Sequence, residues 1–116
     1  MNEQTELTVI TKTYDLILWW LPQIIKFPRA YRFSLGNRVE DLLFEILEDS
    51  IEAKYMKDKI EILQRINLKL EKLRFLTRIC KDLHFINLNK YEFVANQVTD
   101  IGKSVGGWLR QQKGVG

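Results

Sequence analysis

Lysines and arginines spaced three and four residues apart are the side chains in this sequence best suited to chemistry, and that chemistry is contact with phosphate. Residues 54–81 hold nine bases against three acids. At about 100° per residue, Arg65, Lys69 and Lys72 form one row of a helix, and Arg74, Arg78 and Lys81 form another on nearly the opposite side. Such rows can track the phosphates of a nucleic acid, each contact adding salt-dependent affinity. They can equally be solvated flanks, paired with acids of the same or a neighbouring subunit. A second basic stretch, Lys26-Phe27-Pro28-Arg29-Ala30-Tyr31-Arg32-Phe33, continues to Arg38 without an acid. Its arginines and rings can stack on unpaired bases. The same rings, Phe27, Tyr31 and Phe33, can instead close the end of a helical core.

Other chemistries lack their residues. The single cysteine, Cys80, excludes an intrachain disulfide and fits a reducing compartment. One cysteine with one histidine does not make a structural zinc site. His84 has no cysteine nearby and no acidic orienter, so it reads as a helix-end residue. Cys80 falls on an apolar seam, where a thiol is usually an inert small hydrophobe. There is no Gly-rich phosphate loop, no HExxH and no paired cysteine spacing. The acids of residues 39–53 are expected to face outward, and a single histidine cannot supply two Glu-x-x-His units. The expectation is a protein that is not an enzyme and takes no cofactor or metal.

Four amphipathic segments must carry these side chains. The first, about residues 5–25, has apolar positions Ile10, Tyr14, Ile17, Leu21 and Ile24. Pro22 predicts a kink or a frayed last turn there. Phe27-Pro28 marks a break, and Pro28 suits the first turn of the next helix. The second, about 29–53, places Val39, Leu42, Leu43, Ile46, Leu47 and Ile51 on one stripe. The third, about 57–83, repeats Leu63, Ile66, Leu70, Leu73, Thr77 and Cys80, with Ile62, Phe75, Leu76, Ile79 and Leu83 widening its buried face. His84 to Leu88 reads as a turn, and Asn89 with Glu92 as an N-cap and its capping-box partner. The fourth, about 89–110, spaces Tyr91, Val94, Val98, Ile101, Val105 and Trp108 by three and four; residues 111–116 are expected to fray.

Two glycine and tryptophan features bear on packing. Gly102 and Gly106, four apart, would admit another backbone, through a crossing within the bundle or a subunit contact. Trp19 and Trp20 point about 100° apart, so one of them is expected at the surface or in an oligomer interface.

The chain has 116 residues, 46% hydrophobic and 28% charged, which is the balance of one globular domain over 1–116. Six glycines and two prolines, the latter both within the first 28 residues, are too few turn signals for a β-sandwich. The acidic, polar start does not resemble a signal peptide. The most apolar run, residues 16–21, is far short of the roughly 20 residues of a membrane span. A soluble, cytoplasmic, all-α protein with an antiparallel up-down four-helix bundle is expected. The formal net charge of +3 is modest but segregated: residues 26–38 carry four bases, 39–53 six acids, and 103–113 add Lys103, Arg110 and Lys113.

Lys26-Phe27-Pro28-Arg29, the run Tyr31 to Val39 and the amphipathic stretch to Glu52 resemble the second helix of the diversity-generating-retroelement accessory protein family, Avd. The resemblance continues through Asn67 to Leu76, Lys81-Asp82-Leu83, Tyr91-Glu92-Phe93 and Ile101 to Leu109, covering about residues 14–110. The wider group of four-helix bundles encoded in 23S rRNA intervening sequences shares the Phe-Pro-basic entry. His84 departs from the pattern, standing where a glycine would end the third helix.

This resemblance implies a protomer of a homopentameric barrel. It implies a non-catalytic subunit that binds the retroelement's reverse transcriptase and structured template RNA, with an RNA–DNA hybrid or DNA as the alternative nucleic-acid partner, in support of mutagenic reverse transcription. The candidate binding residues are Lys26, Arg29, Arg32, Arg38, Arg65, Lys69, Lys72, Arg74, Arg78 and Lys81. The alternative is an intervening-sequence-type bundle, a structural or protein-interaction module without specific RNA binding.

Overall fold

Periodic apolar spacing becomes four long helices and one short turn in the computed structural model, which describes residues 3–115. They are α1 (Glu3–Ile25), α2 (Arg29–Arg32), α3 (Leu35–Tyr55), α4 (Ile60–Asp82) and α5 (Leu88–Val115). Each long helix packs on its chain neighbour and α1 closes the ring against α5, while α2 lies on α3. Cross-helix pairs descend in sequence order, which makes all neighbours antiparallel. Asp49 and Glu52 meet Lys69 and Arg65, Arg74 and Lys81 meet Thr99 and Tyr91, and Gln23 and Lys12 meet Lys90 and Asp100. The result is an up-down four-helix bundle measuring 47 × 23 × 19 Å.

The seam of α4 is buried as its spacing predicts, from Leu63 to Cys80, and so is that of α5 from Val94 to Trp108. The wider face expected of α4 is corrected: Ile62 is buried and Leu76 partly so, but Phe75, Ile79 and Leu83 are exposed. In α1 the buried stripe centres one residue earlier than expected, on Val9, Thr13, Leu16, Ile17, Trp20 and Ile24, leaving Tyr14 exposed. From Leu16 to Leu21 every residue of that helix is apolar, so the pattern alone does not choose its face there, and of the two tryptophans it is Trp20 that takes the interior. Trp19 lies half-buried at the α1–α5 seam, its ring 5.3 Å from that of Phe93. Trp20 and Trp108 are the largest fully buried side chains, and truncating either to alanine would cost about 3–5 kcal/mol.

Three buried hydroxyls are satisfied within their own helices. Thr13 donates to the Val9 carbonyl at 2.8 Å, Ser50 to Ile46 at 2.7 Å and Thr77 to Leu73 at 2.7 Å. Hydroxyls that bond back in this way can enter an apolar core without a partner on another helix.

The second segment is two elements, not one. After α2 the chain turns at Phe33-Ser34 and α3 begins at Leu35. Here α3 comes close to the end of α1: a methyl group on Gly36 would lie 2.8 Å from Cγ2 of Ile24. By contrast a methyl on Gly102 would meet nothing within 4 Å, and at Gly106 only the Arg110 side chain, so these glycines serve no close crossing within the bundle. Pro22 lies within α1, which continues three residues beyond it.

The helix ends are capped by side chains that the periodicity does not reveal. Lys59 Nζ reaches the carbonyls of Ala53 at 2.6 Å, Lys54 at 3.1 Å and Met56 at 2.6 Å, gathering the open end of α3. After α4, His84 has φ 65°. The amide of Phe85 donates to the Cys80 carbonyl at 2.8 Å and that of His84 to Lys81 at 2.9 Å. This is a Schellman end with histidine in the left-handed position that glycine usually takes. The N-cap of α5 is Asn87, two residues before the expected Asn89: its Oδ1 accepts from the Lys90 amide at 2.8 Å. Residues 111–115, expected to fray, are helical; Gly116 lies outside the described residues.

Candidate nucleic-acid interface

The two basic rows of α4 lie on opposite seams, and the bundle treats them differently. The first row faces α3. Lys69 Nζ lies 2.8 Å from Asp49 and 3.2 Å from Glu45, with its side chain only 16% exposed. Arg65 Nε stands 3.5 Å from Asp49, and its guanidinium 4.0 Å from Glu52. Asp49 is buried at 8% exposure. The expectation that every α3 acid faces outward is corrected there, because two cations of α4 draw this carboxylate inward. Ile51, expected inside, is exposed, and its neighbours Ser50 and Ala53 are the buried residues of that turn. Burial works against the charge on Lys69, but its hydrogen bonds to Asp49 and Glu45 and their negative charges outweigh it, so its pKa is raised above the ordinary lysine value.

Lys72 ends the same row without an ion-pair partner among the described residues. It borders an open cavity of about 560 Å³ together with Arg38, Asp41, Glu45 and the exposed Phe75. Of this row, Lys69 is thus committed to α3 and Arg65 more loosely so, while Lys72, with Arg38 of α3 beside it, remains exposed.

The second row borders α5 and is only lightly paired. Arg74 bonds Glu71 at 3.1 Å within its own helix and Thr99 Oγ1 at 3.0 Å across the seam. Arg78 is 63% exposed, and its single contact is Asp82 at 4.0 Å. Lys81 lies 3.3 Å from Asp82 and 4.9 Å from the centre of the Tyr91 ring. The exposed Arg78 pair contributes little, so that cation is open to solvent, whereas Arg74 and Lys81 are half-buried along the α4–α5 seam.

Lys26, Arg29 and Arg32 gather at one end of the bundle, where α1 stops and α5 begins. Of the three rings among them, only Phe27 closes the core, at 2% exposure; Tyr31 and Phe33 stay open at 44% and 69%. Tyr31 and Phe27 sit against Phe85 of the α4–α5 turn, ring centres 5.1 and 5.2 Å away. The same end carries Lys90, which sequence spacing does not single out; its Nζ bonds Gln23 at 2.8 Å. Cys80 is wholly buried, and burial pushes its thiol up to about 12, against a smaller backbone hydrogen-bond effect. No group of three or more His, Cys, Asp or Glu that could hold a metal occurs among the described residues. Nor is any described helix long and apolar enough to cross a membrane.

An antiparallel four-helix bundle with segregated cationic faces is the class of protein that this geometry defines. The chain belongs to the bAvd-like family, whose sequence model matches residues 7–112, and is thereby an Avd-type accessory protein. Among curated proteins and solved structures, none matches it significantly.

Proposed function

We propose that this protein is a non-catalytic, cytoplasmic accessory subunit of a diversity-generating retroelement that binds the reverse transcriptase and its structured template RNA. It would thereby support mutagenic reverse transcription. The family membership sets the context, and one observation carries the reading. The acids of α3 hold Lys69 and, more loosely, Arg65, whereas Lys72 and Arg78 of α4 and Lys26 and Arg29 at the bundle end remain exposed. A polyanion is the partner that such exposed cations favour.

Assembly into a ring is part of the same proposal. Leu7, Tyr14, Leu18 and Ile25 form one exposed stripe along α1, and Phe44, Ile51 and Tyr55 form another on the neighbouring α3. A separate apolar stripe, Leu68, Phe75 and Ile79, runs along α4. Two different apolar faces on one protomer suit head-to-tail contact, which closes into a ring rather than a two-fold dimer. Light scattering should return about five times 13.8 kDa, and Leu18→Glu should release smaller species.

The test of binding is a salt titration with structured RNA and with duplex DNA of equal length, beside capture of the reverse transcriptase. RNA affinity should fall steeply with salt through counterion release. Arg74→Glu combined with Arg78→Glu should weaken RNA or polymerase binding; leaving both unchanged would remove this row from the working surface. Negligible RNA binding at low salt would favour a protein-only module.

A further inference from the structure

The end of the bundle where α1 stops and α5 begins gathers several unpaired cations beside rings open to solvent. Lys26 and Arg29 are exposed and have no ion-pair or hydrogen-bond partner for their side chains among the described residues. Phe33 is more than two-thirds exposed, an unfavourable position for a ring that serves only the fold. It borders a cavity of about 300 Å³ with Arg32, Ile25, Leu21, Asn37 and Glu40. That volume is at the lower end of the roughly 300–1,000 Å³ of small-ligand pockets. Arg32 lines this cavity with its Nε buried and unbonded. The one acid lining the cavity is Glu40; the same end of the bundle also carries Lys81, paired with Asp82, and Lys90, bonded to Gln23.

We infer that this end of the bundle binds unpaired nucleotides of an RNA, one base stacking on Phe33 beside Arg32 while Lys26 and Arg29 take the flanking phosphates. The inference rests on the RNA-binding reading above and adds where a single-stranded segment is held. A planar ring beside a guanidinium offers two faces for a base, and stacking needs no particular sequence. A duplex keeps its base faces covered, so the site selects loops and single strands. The cation excess at this end favours a nucleic acid over a protein of mixed charge.

The experiment measures affinity for a short single-stranded RNA and for its RNA duplex across a salt series, with the full-length protein. Four variants are compared: Phe33→Ala, Phe33→Trp, Lys26→Ala with Arg29→Ala, and Lys57→Ala with Lys113→Ala at the opposite end. Phe33→Ala should weaken single-strand binding about 5- to 100-fold without changing the salt slope, and Phe33→Trp should restore it. The Lys26/Arg29 pair should lower the slope of log affinity against log salt by about 1.4, at roughly 0.7 per lost contact. The Lys57/Lys113 pair should change neither.

If Phe33→Ala leaves single-strand affinity intact while Arg74→Glu with Arg78→Glu abolishes it, the site is wrong and the RNA-binding reading stands. Equal losses for duplex and single strand would overturn the stacking claim. So would loss of polymerase capture alone, which would mark this end as a protein contact. Failure of the unaltered protein to bind RNA would overturn both the reading and the site.

Discussion

Cys80 and Asp49 show how burial decides what a reactive side chain does. With its thiol wholly buried and pushed up to about 12, Cys80 stays protonated where an ordinary thiol begins to ionise. A thiol reagent at pH 8 should leave the folded protein unlabelled and modify it fully in denaturant; rapid native labelling would contradict the packing of α4. The same difference makes stability depend on pH. Above the ordinary thiol value of 9.0 the unfolded thiol ionises while the folded one does not, so stability should fall as pH rises from about 9 to 12. Cys80→Ala should remove that part of the slope, measured by denaturant titration. Lys69, whose folded pKa is raised, contributes stability fully below its unfolded value near 10.5 and loses it above, so its share of the alkaline loss begins later. Asp49 is the other case. Asp49→Asn leaves Lys69 and Arg65 short of a carboxylate, and should cost about 2 kcal/mol in chemical denaturation. It should also raise low-salt RNA affinity slightly, since Lys69 and Arg65 each lose one of two acidic partners and keep Glu45 and Glu52.

Among the helices, α4 and α5 were the most legible in sequence, because leucines or valines at three-and-four spacing alternate there with charged residues that cannot go inside. The α1 face was not, since Tyr14 and Trp20 are both apolar enough to be buried and only the packed neighbours choose between them. Asp49 was illegible for a related reason: its place depends on Lys69, twenty residues away. The candidate bases were readable as a list, but which of them are quenched depends on which seam each row borders. Helix ends depend on backbone geometry more than on pattern, and the α4 end makes the point. A histidine at φ 65° carries the steric cost of its Cβ in the left-handed region. His84→Gly should raise stability by about 1 kcal/mol, seen as a thermal midpoint several degrees higher, and His84→Val should lower it.

For the whole molecule, the four seams differ in how they are fastened. Between α3 and α4 run the ion pairs of Asp49, Glu45 and Glu52; between α4 and α5, the Arg74 bond to Thr99; between α1 and α5, Lys12–Asp100 and Lys90–Gln23. From Leu7 to Ile25, no hydrogen bond or ion pair joins α1 to α3 among the described residues. Their contact is apolar, and its outer edge is the exposed stripe proposed for assembly. Native-state hydrogen exchange of a dilute, dissociated protomer should therefore find α1 amides exchanging before those of α3 and α4; uniform protection across all four helices would contradict this. Because Thr13 bonds to its own helix, no polar bond among the described residues from Leu7 to Ile25 sets the register of α1 on α3, whereas Lys12–Asp100 and Lys90–Gln23 set it on α5. Along the α1–α3 seam the register is thus kept by fit alone, with the Ile24 methyl over Gly36 as its peg.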